Sequence, residues 1–482
     1  MVYPFIALIV TCLAWSAFTR GTGMALGRGW MLAILGPCWI GAQVGSAEID
    51  LRLVAVVTAI GLLAFVRDWS WPSKFCWSDA AAAALVLVQM ASEMENGGFG
   101  AKAVFQISVQ WGMPYVLGRL LFRSPEETRR LLPIVCTLCV VLSLWVVSES
   151  VTKVNIVNRA MNHLGSSQSE TEPRWGFRRA EGPTSHPIFC GLLLVGLFPW
   201  AMQARQAAVD KQGPSWWRAT PWCIAAGVFC TMSRGPQLAL LGTVAAMAFF
   251  RWPRLRVPML AGIGALLLTA AVASESLLNA LQSWSSESHA GRSYITIGGE
   301  QYRYSGTRHR LLQALVFADA MYQAGPFGYG VQSLSSHPLV VPNVEPHLLN
   351  SPFDSIDNHY IYFILAAGYL GLTSFVVLGV LSLAKIAVLA CDRQDEAWSL
   401  AAAMFGAQLA IMLSVATVWF ADDFGFQWLV NAGYITSWYG YRRTQQQAAT
   451  ARTPLTVKPS PRRLVPGHPV FAALGADPAS GT

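Results

Sequence analysis

The sequence Met232-Ser233-Arg234-Gly235-Pro236 sets a guanidinium between two apolar stretches, Trp222 to Cys230 and Leu238 to Phe250, with almost no polar loop to carry it. A permanently charged side chain at the mouth of a hydrophobic hairpin is costly unless it faces water, a protein cavity or an anion. We read Arg234 as facing an anion; snorkelling to a lipid headgroup is the alternative. A second concentration of chemistry lies in two long polar segments, 149 to 186 and 274 to 357. Seven of the eight histidines fall in them or at their edges: His163, His186, His289, His309, His337, His347 and His359. Any one of them reads equally as solvated surface, so it is the clustering that marks the segments. The longer segment holds a basic stretch, Ser305-Gly306-Thr307-Arg308-His309-Arg310, that opens a predicted helix from Leu311 to Gln323. A turn follows, Gly325-Pro326-Phe327-Gly328-Tyr329-Gly330, whose glycines let the backbone bend tightly and approach a ligand. The segment ends in Asp357-Asn358-His359-Tyr360, where the next apolar run begins.

The elements that must position these groups are membrane helices. With 54% hydrophobic and 12% charged residues and a mean hydropathy of +0.41, the chain is too apolar for a soluble globule. Apolar runs of about 15 to 20 residues, enough to cross or nearly cross a bilayer core, recur along most of it. The expectation is an all-α polytopic membrane protein of about 12 to 13 transmembrane helices with a partly helical outer subdomain. Its organisation reads as transmembrane helices over 1–148, an external loop over 149–186, helices over 187–273, a large external loop over 274–357, helices over 358–441 and a disordered cytoplasmic tail over 442–482. Individual spans are predicted near 30 to 47, 51 to 66, 103 to 122 and 358 to 384, among others.

Lys and Arg in short loops set the orientation, because their excess marks the cytoplasm. Arg67 with Lys74, Arg119 to Arg130, Arg205 to Arg218, Arg251 to Arg256, Lys385 with Arg393, and the tail from Arg442 to Arg463 fall in alternate connections. One alternation satisfies them all and puts the two long polar segments, 231 to 235 and 419 to 423 outside. The first apolar run lacks a basic flank before it and is followed by Arg20, so it reads as a retained span with its start outside.

Other classes are disfavoured. The net charge of +8 is carried mostly by the cytoplasmic loops and tail, which speaks of membrane lipids and orientation and not of nucleic acid. None of the nine cysteines lies in an external segment, so no disulfide framework is predicted there, and Cys136 with Cys139 reads as a pair of small packing residues. No phosphate-binding loop, zinc-protease helix or nucleophile elbow occurs. Intramembrane carboxylates are sparse, namely Asp79, Glu93 and Glu95 near one span end and Asp422 with Asp423 in an outer turn, so a proton-coupled transporter is the weaker reading.

The order of features over roughly 175 to 372 resembles the O-antigen polymerase and ligase superfamily of bacterial membrane glycosyltransferases. Ser233-Arg234-Gly235 is similar to its earlier membrane-edge motif. Arg179-Ala180-Glu181-Gly182 through His186-Pro187 resembles its upstream segment. The basic stretch, the Gly-rich turn, Asp357-Asn358 and Gly368-Tyr369-Leu370-Gly371 follow in the order of its signature. Two departures stand out: Leu312 where relatives often have Trp, which leaves Arg308 and Arg310 both open as the motif arginine, and Asp357 where ligase-type relatives carry His. The second points to the polymerase or exopolysaccharide side.

The resemblance implies a site on the periplasmic face of the bacterial inner membrane, with no cofactor and no metal. A polyprenyl-diphosphate-linked glycan would pass to a hydroxyl of a glycan or glycolipid acceptor. Charge grows on the leaving diphosphate, so fixed guanidiniums in a partly dry site suit the transition state. Arg234 and Arg308 are the first candidates, with Arg179 and Arg310 behind them. The acceptor hydroxyl needs a base, from Asp357 or His359; these are i and i+2 and lie on different helix faces. Helix capping by Asp357 or Asn358 is the competing reading. Polymerisation of O-antigen or exopolysaccharide is the expected function, with ligation to a lipid acceptor or transport of the lipid-linked glycan as alternatives. The alternation makes a direct prediction: tags inserted at Gln212 and Gln394 report a cytoplasmic position and one at Ser335 an external one, and an external tag at Gln212 would overturn the orientation.

Overall fold

The computed structural model describes residues 3–37, 40–44, 47–66, 74–162, 173–174, 176–272, 293–297, 299–304, 306–336, 356–392, 397–420 and 422–452. His163, His289, His337, His347 and Ser305, and the tail beyond 452, lie outside the described residues, as do the side chains of Arg308 and His309. The chain divides into Met1–Tyr441 and Arg442–Thr482.

The first unit is a helical bundle. Helices α1 (Tyr3–Arg20), α2 (Thr22–Leu35), α3 (Leu51–Val66) and α4 (Trp77–Glu95) lead to α5 (Ala101–Ile107), a π-helical segment (Ser108–Gly112) and α6 (Met113–Leu121). Then come α7 (Pro125–Thr152), α8 (Ile156–Asn162), α9 (Pro187–Val209), α10 (Thr220–Cys230), α11 (Arg234–Arg251) and α12 (Pro253–Val272). The outer segment contributes α13 (Gly306–Val316), α14 (Ala318–Gln323) and α15 (Val331–Ser336), and the chain returns through α16 (His359–Cys391), α17 (Trp398–Ser414) and α18 (Asp422–Arg452). Among the described residues α7, α9 and α16 are each long and apolar enough to cross a bilayer, while α1, α3 and α17 contain shorter apolar runs.

Two antiparallel hairpins interrupt the helices: β1 (Gly41–Val44) with β2 (Ala47–Asp50), and β3 (Ser293–Ile297) with β4 (Glu300–Tyr304). The first replaces the later part of the span expected near 30 to 47. The reason is local: Gly36 caps α2 and Pro37 follows, so the helix starts earlier and stops earlier than hydropathy alone suggests. At the far end, α18 runs on to Arg452, so the start of the expected tail is helical.

The bundle interior is tied by amide side chains. Trp30 donates to Gln427 (2.8 Å), Gln427 and Trp200 both donate to Asn431 (2.9 and 3.0 Å), and Asn431 donates to the Gly196 carbonyl (3.0 Å). This links α2, α9 and α18 through fully paired polar groups, the form in which they are tolerated in an apolar core. Contacts near the bundle ends agree with the alternation of loops. Lys385 donates to Ser78 (2.8 Å), Arg119 pairs with Asp79 (2.9 Å) and the Arg251 guanidinium lies 5.5 Å from the Trp398 ring centroid, and all three contacts join residues next to connections assigned to one side. Arg52–Asp423 and Arg179–Ser233 join segments assigned to the other.

Helix α16 breaks at Gly368, whose φ of 66° and ψ of −169° are those of no helical residue. The backbone groups released there are all taken by the Gly-rich turn and by α4. Tyr329 N donates to Leu365 O (2.7 Å) and Gly330 N to Ala366 O (3.0 Å), while Tyr369 N and Leu370 N donate to Gly325 O and Pro326 O (both 3.1 Å). Ser92 adds a hydroxyl to Ala366 O (2.7 Å), and Asn96 donates to Gly328 O (3.1 Å). A Cβ on Gly328 would meet Leu365 O and Gly368 N at 2.6 Å, and one on Gly368 would collide with the Pro326 carbonyl. Replacing Gly368 with Ala therefore combines left-handed strain of about 1–3 kcal/mol with backbone overlap. A G368A protein should show a clearly lower melting temperature in detergent, whereas G242A, at a helical glycine whose added Cβ meets nothing within 4 Å, should not.

Candidate active site

Three stretches converge at the end of the bundle that the alternation places outside. The first is the loop before α9. Glu149, completely buried near the end of α7, accepts from the backbone N–H groups of Glu181 (3.1 Å) and Gly182 (3.0 Å) and from Asn155 Nδ2 (3.0 Å), and its carboxylate lies 3.4 Å from Arg178 Nε. A buried carboxylate with this many donors fixes the loop around it. The loop so held carries Arg179 and ends at His186, the N-cap of α9, whose Nδ1 accepts from Ile188 N (3.2 Å).

The second stretch is the turn from α10 to α11. Met232 takes a positive φ of 48°, and its carbonyl accepts from Arg174 Nη1 (3.4 Å). Ser233 Oγ accepts from Arg179 Nη2 (3.4 Å) and donates to Thr231 O (3.1 Å). Arg234 follows as the first residue of α11 and is half-buried.

The third is the junction of α13 with α16. Buried Gln313 accepts from Asn358 N (3.2 Å), and Asn358 Oδ1 caps α16 by accepting from Tyr360 N (3.0 Å) and Ile361 N (3.3 Å). The cap is thus Asn358, and the Asp357 carboxylate turns to Arg310 instead, 3.7 Å away, with both side chains about one-third exposed (36% and 37%). The Leu312, Val316, Phe317, Ile361 and Leu365 side chains form the small apolar core beneath this junction.

These stretches meet around His186. Its pKa is pushed down from 6.5 to about 4, first by burial and then by the guanidiniums of Arg179, Arg310 and Arg174. The ring is neutral at physiological pH, and since Nδ1 is an acceptor the proton sits on Nε2, available as a donor. Three cations, a neutral N–H donor and one exposed carboxylate form an anion site with a proton acceptor at its edge.

Of the residues singled out in the sequence, the structure brings Arg179 and Arg310 into this cluster and sets Asp357 beside Arg310. Arg308 lies in the first turn of α13. His359 points the other way. It is 1% exposed and packed among Trp111 (6.0 Å between centroids), Phe420 (5.3 Å) and Phe363 (4.5 Å), and neither ring nitrogen has a hydrogen-bond partner. Asp423, one of the carboxylates of the outer turn, is engaged by Arg52. Sequence reasoning did not single out Arg174 or Glu149. Glu149 carried a signal, an acid closing the long apolar run of α7, and Arg174 carried none.

The His186 shift sets a pH dependence. The unfolded ring titrates near 6.5 and the folded one near 4, so between these values the unfolded state binds more protons. The stability this residue contributes is complete above pH 6.5 and falls as the pH drops to 4. His186→Asn keeps an N-cap acceptor but does not titrate. The loss of melting temperature between pH 7 and pH 4.5 should be smaller in that variant than in the parent, and an equal loss would show that His186 is not buried as described.

Residues 219–376 match the family described as O-antigen ligase. The match takes in α10 and α11, the basic stretch, the Gly-rich turn, Asp357 and the Gly368 break, while Arg174, Arg179 and His186 lie upstream of it. No curated protein matches the chain. A bundle of helices apolar enough for a membrane, with this matched segment inside it, supports a likeness to the O-antigen polymerase and ligase superfamily over that third of the chain.

Proposed function

We propose that the cluster of Arg174, Arg179, Arg310 and His186 binds the diphosphate of a polyprenyl-diphosphate-linked glycan and that the protein is a glycosyltransferase working at the periplasmic face of the bacterial inner membrane. The observation that carries this reading is the convergence of three guanidiniums on one neutral histidine, an arrangement that costs repulsion unless an anion occupies it. Arg234, which follows Ser233 at the head of α11, and Arg308 are further candidates to contact the diphosphate.

In the transfer, an acceptor hydroxyl oxygen attacks the anomeric carbon and the bond from that carbon to the diphosphate oxygen breaks. The electron pair stays on the diphosphate, where the guanidiniums and the His186 Nε2 proton meet it. The hydroxyl proton passes to the Asp357 carboxylate. Asp357 is paired with Arg310 at 3.7 Å before substrate arrives, and a bound diphosphate draws Arg310 away and leaves the carboxylate as acceptor. His359, enclosed by Trp111 and Phe420, supports the start of α16 and takes no proton.

The acceptor is a second lipid-linked glycan, so that the reaction polymerises O-antigen or exopolysaccharide. A second reading, ligation of finished glycan to a lipid acceptor, is favoured by the description of the matched family. Comparing lipid-linked glycans with and without the protein separates the two. A polymerase defect leaves single repeat units on the carrier; long polymer accumulating there would make the protein a ligase. Asp357→Ala should reproduce the loss and His359→Phe should leave it milder. Arg179→Ala and Arg310→Ala should each lower transfer on the order of a hundredfold or more with insertion intact, and Lys should rescue poorly because it lacks the planar fork. Full activity in both Ala variants would remove the diphosphate site.

A further inference from the structure

A cavity of about 380 Å³ opens between α3, α4, the π-helical segment and the start of α15. Its volume falls in the range of small-molecule sites, about 300–1,000 Å³. The polar wall is made of planar amides and acids: Gln89, Glu93, Gln106, Gln110 and Gln332 line it, and Phe105 supplies an apolar face. The cation in the wall, Arg52, is engaged by Asp423.

Glu93 ties the wall to the head of α15. It is 1% exposed, and Oε1 already accepts from Val331 N (2.5 Å) and Gln332 N (3.2 Å) at the head of α15. Its Oε2 is buried with no hydrogen-bond partner, an expensive state for a carboxylate oxygen. Acids at the wall disfavour an anionic occupant. Amides beside an aromatic side chain suit adjacent hydroxyls and the C–H face of a sugar ring. The π-helical turn widens the backbone at Val109 and Gln110, both cavity residues, and such turns recur at functional sites.

A chain of contacts leads from the cavity toward the arginine cluster. Gln332 follows the Gly-rich turn, and Asp423, which holds Arg52 at the cavity wall, also accepts from the backbone of Ser185, next to His186. We infer that this cavity is a sugar-binding subsite that holds a neutral hexose-like residue of the glycan while the arginine cluster holds its diphosphate. The inference rests on the proposed diphosphate reading for the orientation of the ligand. Of the lining residues, Val331 and Gln332 lie inside the stretch matched to the ligase family and the others outside it, so glycan identity is read largely by the part of the chain beyond that match.

The test uses the full chain in lipid nanodiscs and two separate probes. One is the repeat-unit oligosaccharide cleaved from the surface polysaccharide of the source strain, with no phosphate; the other is polyprenyl diphosphate with no sugar. Saturation-transfer NMR should show the oligosaccharide binding the parent protein. Gln106 is exposed and Gln110 half-buried, so replacing both with Ala leaves the fold intact. That double variant should bind the oligosaccharide about tenfold more weakly, as expected for a few lost hydrogen bonds, and the polyprenyl diphosphate equally well. Arg179→Ala with Arg310→Ala should show the reverse pattern. No transfer to the sugar protons in the parent, or unchanged affinity in the double glutamine variant, overturns the subsite. Failure of polyprenyl diphosphate to bind the parent overturns the diphosphate reading instead, and the oligosaccharide arm still decides the cavity.

Discussion

The break in α16 is the constraint on which the outer half of this molecule depends. Inside a bilayer a helix cannot release its backbone groups to water, so an interruption survives only where other protein groups replace every bond lost. Here the Gly325–Gly330 turn supplies four of them and the end of α4 supplies more. The turn is therefore welded to the membrane bundle through its main chain. What the turn connects is fixed with it: α14 and α13 before it, α15 after it, and the cavity wall where Glu93 caps α15. Asn358 and Gln313 close the other side of the same unit, which is what brings Arg310 to Asp357.

The arginines of this chain sort by what holds them. Arg52, Arg119 and Arg178 are each almost wholly buried and each faces a buried or nearly buried carboxylate, of Asp423, Asp79 and Glu149. Such pairs neutralise one charge with one charge, and their value is in fixing helix ends and loops. Arg174, Arg179 and Arg310 are half-buried and lie around a ring kept neutral. Even with Asp357 beside Arg310, positive charge is in excess there, and on the proposed reading that excess is where an anionic ligand sits.

Much of this was legible in the sequence, for identifiable reasons. Gly325, Gly328 and Gly330 announced tight backbone, and the three do take positive φ, whereas the break at Gly368 falls inside a run read as one continuous span. The i, i+2 spacing of Asp357 and His359 required opposite faces, and one side chain meets Arg310 while the other meets Trp111. The membrane class followed from hydropathy. What hydropathy could not carry was the fate of short or polar spans: a Gly36-Pro37 stop turned part of one into a hairpin, and the run from 103 to 122 became α5, a π-helical turn and α6, with Gln106 and Gln110 facing a cavity. Nor could spacing show that Arg174 and Arg179, well over a hundred residues before Arg310, share one histidine with it, since that depends on how three loops are held.

On the proposed diphosphate reading, the neutrality of His186 bears on catalysis as much as on binding. A fourth fixed cation would hold the ground-state diphosphate more tightly, and attraction shared equally by substrate and transition state does nothing for the chemical step. A neutral N–H donor contributes little to a diphosphate whose charge is already spread over its oxygens and more as charge concentrates on the departing one. The surrounding guanidiniums keep His186 in that state, because each of them opposes its protonation. The same cations proposed to bind the diphosphate thus set the protonation of the group proposed to meet the leaving oxygen. This coupling also explains why the loop bearing Arg179 and His186 is anchored through a buried carboxylate: a shift of the loop would change the binding charge and the histidine together.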